Sequence, residues 1–277
     1  MSSPSPSPAS EPLIDLAAYA ARVGYTGPLA PTADVFVALH RAQAYSIPFE
    51  NLDIHLGRPI GLDAASLSQK LLTAHRGGYC YELNGLFGRV LRQLGFEVTN
   101  LVGRNLIAGA PLRPRAHQLL LVQVAGQPWV ADLGFGGNTL LEPIPLVVGP
   151  EHRMGFDTYR LQNAPPHNYH LQLLLDGQWQ TLYGFTLDET QPSDYRMMSY
   201  YYSNSPDSPF RQQRMCAQAT PEYRASLVDR ELKIRRPDGS SATTVLADAP
   251  EYAAALAEYF GIRLGQEQAA QLFQGNG

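Results

Sequence analysis

Apolar residues recur at Leu83, Leu86, Phe87, Val90, Leu91 and Leu94, the three-to-four spacing of a helix with one buried face. A similar pattern runs through Leu13-Ile14, Leu16-Ala17 and Tyr19-Ala20 to a stop at Gly24, and again through Val35, Phe36, Leu39 and His40. Pro48, inside Ile47–Leu52, bars a helix interior there. Ser66 to His75 predicts another short helix. Leu13 to Gly95 is therefore read as mostly helical.

Beyond Gly95 the period changes. Phe96–Val102, Gln118–Val124, Pro128–Leu133, Thr158–Gln162, His170–Leu175 and Trp179–Phe185 are short apolar or alternating runs divided by Gly, Pro, Asn and Asp. That pattern predicts an antiparallel sheet or barrel. Pro192 to Phe210 is rich in Tyr, Ser and Pro and reads as a connector. Strand-like pieces follow at Arg224–Val228, Glu231–Arg235 and Thr243–Leu246, then helical patterns at Glu251–Phe260 and Gln266–Phe273. No internal repeat is visible. Helices first, strands second and a mixed tail predict an α+β chain of three regions.

Composition narrows the function classes. With 277 residues, 44% hydrophobic and 17% charged, the chain has the make-up of a globular protein with a real core. A formal net charge of −4 gives no electrostatic reason to expect nucleic acid or an anionic membrane surface. No apolar run approaches the roughly 20 residues of a membrane span. Residues 1–12 are Ser/Pro-rich, lack the regions of a signal peptide and are expected to form a disordered tail. The 2 cysteines suggest neither a disulfide framework nor a metal site, and a reducing cytoplasm is the expected location.

One of those cysteines is placed for chemistry. Cys80 follows Gly77-Gly78-Tyr79 and opens the amphipathic helix. Unpaired N–H groups and the positive end of the helix dipole favour thiolate at such a position. A nucleophilic cysteine needs a base and usually a group to orient it. Of 7 histidines, His117 alone begins a strong strand, and Ala125-Gly126-Gln127 turns that strand into a second one ending at Asp132. In such a hairpin His117 and Asp132 fall within about two residues of facing each other. Taken singly, a buried structural cysteine, a satisfied strand-entry histidine and a turn-forming aspartate remain open readings.

Three segments together carry a resemblance: Arg76–Asn84 (RGGYCYELN), Ala116–Val124 (AHQLLLVQV) and Trp129–Gly137 (WVADLGFGG). In this order and separation they resemble the arylamine N-acetyltransferases. Tyr19–Tyr25, Ile47–Leu52 with its PFENL run, and Tyr201–Pro206 with Ser208 and Phe210 are similar to further segments of that family. The resemblance implies a helical bundle over 13–95, a β-barrel over 96–203, a connector over 204–220 and an α/β lid over 221–277. It also implies that bundle and barrel share a core with papain-type cysteine proteases.

The resemblance further implies Cys80, His117 and Asp132 as a catalytic triad, with acetyl-CoA as donor and an aromatic amine or hydrazine as acceptor. The expected mechanism is ping-pong through an acetyl-cysteine, with no metal. Phe49, Phe135 and Phe210 are implied to line the acceptor pocket, core packing being the alternative for each. Gly134 and Gly136 would let pantetheine pass near the backbone, and Tyr201 and Ser208 would touch CoA. Arg76 and Glu50 are expected in a buried charge network; Glu82 either joins it or complements the helix dipole. Cys216, without a matching motif, reads as structural. Two other functions compete: an amide synthase closing macrolactams on the same triad, and a non-catalytic binder of arylamine or CoA.

Overall fold

The computed structural model describes residues 12–107 and 113–275, so the Ser/Pro-rich tail, apart from Pro12, lies outside the described residues. Local signals set the first helices. Asp15 accepts from the Ala17 and Ala18 amides to open α1 (Leu16–Val23), which ends where Gly24 turns left-handed at φ 70°. Thr32 caps α2 (Ala33–Ser46). Across the Pro48 break lie a two-residue strand, β1 (Phe49–Glu50), and a short helix, α3 (Leu52–His55). The helix expected near Ser66 forms as α4 (Ala64–Leu67) running into a π-helical turn, Ser68–Thr73. Helix α5 (Cys80–Gln93) closes the group.

The strand region begins with β2 (Glu97–Asn105), β3 (Arg115–Val124) and β4 (Gln127–Ala131). A 3₁₀ turn, Gly136–Asn138, leads to β5 (Ile144–Pro145) and β6 (Glu151–Met154). Then come β7 (Asp157–Ala164), β8 (His167–Leu175) and β9 (Gln178–Phe185). These eight strands pair antiparallel in the order β5-β4-β3-β2-β9-β8-β7-β6, a nearly closed barrel. The fold class is α+β.

The segment read as a connector differs. Pro192–Asn204 is a helix, α6, followed by α7 (Pro209–Gln212) and β10 (Met215–Ala219). Proline at the first helical positions and the Asp194 carboxylate on the Gln191 amide start α6, and Tyr195, Ser199 and Tyr202 give it a buried face. Aromatic and hydroxyl residues are weak helix formers, so tertiary burial decides here. Strands β11 (Arg224–Val228), β12 (Glu231–Arg235) and β13 (Ser241–Val245) and helices α8 (Ala249–Phe260) and α9 (Gln266–Gln274) complete the chain.

Packing ties these regions together at two places. Phe36, Leu39, Phe87 and Val90 share one core with barrel residues Leu119, Leu120 and Tyr183, so helices and barrel form one body. The C-terminal sheet has its own core of Leu227, Leu232, Tyr252, Leu256 and Phe260, yet its first strand is β1, paired Glu50 to Cys216. The N-terminal region thus contributes a strand to the C-terminal sheet. Among the described residues, no helix is long and apolar enough to cross a membrane.

Candidate active site

Cys80 is the first residue of α5, preceded by extended Tyr79 whose amide donates to Glu82 Oε2 at 3.0 Å. The glycines before it are required by close approach: a Cβ on Gly77 would lie 2.1 Å from the Pro48 carbonyl oxygen. Pro48 and Glu50 flank β1's contact with Gly78, through Gly78 N–H to Pro48 O at 3.2 Å and Glu50 N–H to Gly78 O at 2.9 Å. The Cys80 turn is therefore laid directly against β1.

Behind it lies a buried charge network. Arg76 pairs with Glu50 at 2.6 Å and Asp53 at 3.2 Å; Lys70 pairs with Asp53 at 3.1 Å and Glu82 at 2.7 Å. Arg58 adds a half-exposed contact to Asp53 at 3.3 Å. Three carboxylates meet three cations, so the cluster carries no net charge when ionised. Burial pushes the Glu82 carboxyl up to about 6 in spite of Lys70. Asp53 is held below the usual carboxylate range because Lys70 and Arg76 together outweigh its burial. Glu82 does both things the sequence left open: it joins the network and occupies the helix N-terminus.

His117 lies on β3. The β3–β4 register pairs Leu120 with Ala131; continued one residue, it sets Asp132 opposite Leu119, two positions from His117. His117 Nε2–H donates to Asp132 Oδ2 at 2.7 Å, and the Cys80 side chain neighbours the imidazole. Burial alone would lower the imidazole; the Asp132 carboxylate overrides it, with help from Cys80, and lifts it to about 10. Asp132, fully buried, is pulled below its ordinary value against its own burial, chiefly by His117 and then by Asn84 and the Gly134 amide.

Three residues beyond the sequence reading hold Asp132, one through its carboxylate and two through its backbone. Asn84 Nδ2 donates to Asp132 Oδ1 at 3.0 Å and Gln118 O at 2.7 Å, and its Oδ1 accepts the Leu133 amide at 2.9 Å. The Asp132 amide donates to His40 Nε2 at 3.3 Å, so Nδ1–H of His40 faces Leu141 O at 3.2 Å. Burial pushes His40 down to about 4, a neutral imidazole. Thr139 Oγ1 donates to Asp132 O at 2.9 Å. Asn84 carried a usable signal, since it lies one helical turn after Cys80 on the same face. His40, placed in the apolar stripe of α2, had none.

Cys80 and His117 open on a cavity of about 310 Å³ whose wall includes Phe49, Phe135 and Phe210. Phe135 meets His117 edge-on at 4.9 Å, and Phe49 meets Phe210 at 6.0 Å. Gly134 and Gly136 also border it. A Cβ on Gly134 would stand 2.4 Å from Cys80 Cα, so the loop's contact with α5 already requires glycine there. Tyr201 and Ser208 are not brought to this cavity. Ser208 is fully buried, its hydroxyl donating to Tyr202 O at 2.6 Å and accepting the Phe210 amide at 3.1 Å to cap α7. Tyr201 is 41% exposed on α6. Among the described residues no three His, Cys, Asp or Glu side chains are grouped to hold a metal ion.

A thiol beside an imidazole that a carboxylate holds can perform acyl transfer by nucleophilic attack. The sequence profile of an N-acetyltransferase family matches residues 32–269. An arylamine N-acetyltransferase of Escherichia coli K12 is 43% identical over 205 residues, 74% of this chain and 73% of its own length. One from Mycobacterium bovis is 38% identical over 257 residues, covering 91% and 90%. The solved arylamine N-acetyltransferase of Mycobacterium marinum in complex with CoA superposes with a TM-score of 0.88 at 34% identity, over 94% of this chain and 99% of that one. The chain belongs to the arylamine N-acetyltransferase family, and it is an acyltransferase that moves acetyl groups.

Proposed function

We propose that this enzyme acetylates aromatic amines or hydrazines from acetyl-CoA by a ping-pong mechanism in which Cys80 is the nucleophile. The observation that carries the reading is Cys80 beside the hydrogen-bonded His117–Asp132 pair, Cys80 and His117 opening on one cavity walled by three phenyl rings. His117 takes the thiol proton, and Asp132 stabilises the resulting imidazolium. The thiolate attacks the acetyl carbonyl, and the tetrahedral oxyanion meets the Cys80 backbone N–H at the open end of α5. CoA thiolate leaves and is protonated, and the acetyl group remains on Sγ as a thioester. The amine nitrogen then attacks that thioester; its proton passes to His117, the C–S bond breaks and the amide is released. Rings of Phe49, Phe135 and Phe210 suit a flat aromatic acceptor. The apolar wall disfavours water as a competing acceptor.

The protein is incubated with acetyl-CoA without amine and weighed intact beside Cys80→Ala. The expected result is one acetyl group on the wild type alone, removed by an aromatic amine or hydrazine. No adduct, with Cys80 still readily alkylated, would replace acetyl-CoA by another acyl donor and favour the amide-synthase chemistry.

A further inference from the structure

Arg224 on β11 and Arg235 on β12 stand directly opposite one another. Like charges in that register repel. Asp157, buried on β7 of the barrel, reconciles them: its carboxylate takes Arg224 Nε, and Arg235 Nη1 at 2.6 Å. Arg235 does nothing else polar at this junction; its guanidinium lies over the Phe156 ring at 5.0 Å.

Arg224 is different. It is 5% exposed and directs its remaining nitrogens at the turn after Asp132. Nη1 donates to Gly137 O at 3.1 Å, and Nη2 donates to Thr139 O at 3.1 Å and to Tyr159 Oη at 2.9 Å. Thr139 closes the turn through its amide to Gly136 O at 3.1 Å, and its hydroxyl holds Asp132 O. Phe135, at the head of the turn, packs on the His117 ring. A planar guanidinium fork satisfies these divergent acceptors at once; a lysine ammonium cannot span them.

We infer that Arg224 is a positioning residue, which from the C-terminal sheet holds the Gly136–Thr139 turn and through it sets Asp132 and Phe135 against His117. This rests on the proposed reading of Cys80, His117 and Asp132. Docking of the C-terminal sheet is then part of assembling the site, because the residue that joins sheet to barrel also braces the carboxylate's loop.

The test compares full-length Arg224→Met, Arg224→Lys and Arg235→Met with the wild type. The first readout is the rate of Cys80 alkylation by iodoacetamide from pH 5 to 10, with no substrate present. The second is kcat/KM for arylamine acetylation. Arg224→Met should slow alkylation at pH 6 about tenfold, roughly the loss of one charge-assisted hydrogen bond, and move the rise of the profile to higher pH. Its kcat/KM should fall in step, and Arg224→Lys should recover part of both. Arg235→Met weakens the same sheet–barrel ion pair without touching the turn and should alkylate within about twofold of wild type. Equal losses in the two methionine variants, or a wild-type profile in Arg224→Met, would overturn the inference. If Arg224→Met does not fold, a wild-type profile in Arg224→Lys overturns it instead. Alkylation uses neither acetyl-CoA nor amine, so absent acetyl transfer in the wild type would sink the functional reading and leave the positioning result standing.

Discussion

Two buried thiols line one cavity in this molecule, and their surroundings are opposite. Cys80 occupies the first turn of a helix with the His117 imidazole as its neighbour. Cys216 lies within β10, among Leu52, Leu227 and Tyr252 and opposite Glu50. Burial, and then the Glu50 carboxylate, push the Cys216 thiol well above its ordinary value. Both are buried, so depth alone does not separate them. The sign of the nearest charge does, together with the end of the helix.

The contrast can be broken by substitution. Cys80→Ala should remove acetyl transfer by about 10⁵-fold, as loss of a nucleophile does, measured with acetyl-CoA and an arylamine. Asp132→Asn should lower kcat by about 10²- to 10⁴-fold while the protein still folds, because the imidazole loses the charge that keeps it protonated. Iodoacetamide should label Cys80 at least about a hundredfold faster than Cys216 at pH 7, read by peptide mass mapping. Comparable labelling of both would void the comparison.

Smaller effects sharpen it. Folded His117 is raised to about 10, above the roughly 6.5 of the unfolded chain. The stability contributed by its pairing is therefore whole below about pH 6.5 and is lost as pH climbs toward 10. In thermal melts the wild type's lead over His117→Gln should shrink across that window, by at most about 1.4 kcal/mol per pH unit. Cys216→Ala should be the mildest change, with activity within about twofold of wild type and stability lowered by about 1 kcal/mol. A tenfold activity loss there would give the second thiol a role that its surroundings deny it.

Much of this site is legible in the sequence alone. The helix of Cys80 announces itself by its apolar spacing, and the hairpin of His117 and Asp132 by two β runs around Ala125-Gly126-Gln127. Both are local patterns, written within about twenty residues. What stays hidden is long-range. Lys70, Asp53 and Arg58 look like ordinary surface charges until Glu50, Arg76 and Glu82 come to meet them. The helix α6 is hidden for another reason: its many Tyr and Ser residues give little helical preference, and the seating of Tyr195 and Tyr202 against the rest of the fold selects it. Ser208 carries a motif match, yet its hydroxyl is spent on a helix cap.

The pairing of β1 with β10 also has a consequence for how the enzyme is made. Asn51, just after β1, bonds the Met215 amide 164 residues further along the chain. At roughly 5–20 residues per second, a ribosome takes about 8–33 s to supply that partner. During this interval the Phe49–Glu50 edge of the growing polypeptide waits beside Gly78 with its other side open, although Cys80, His117 and Asp132 have all been synthesised. Nascent chains arrested before β10 emerges should therefore already carry all three residues but lack one wall of the cavity, and limited proteolysis near Phe49 would register the missing strand.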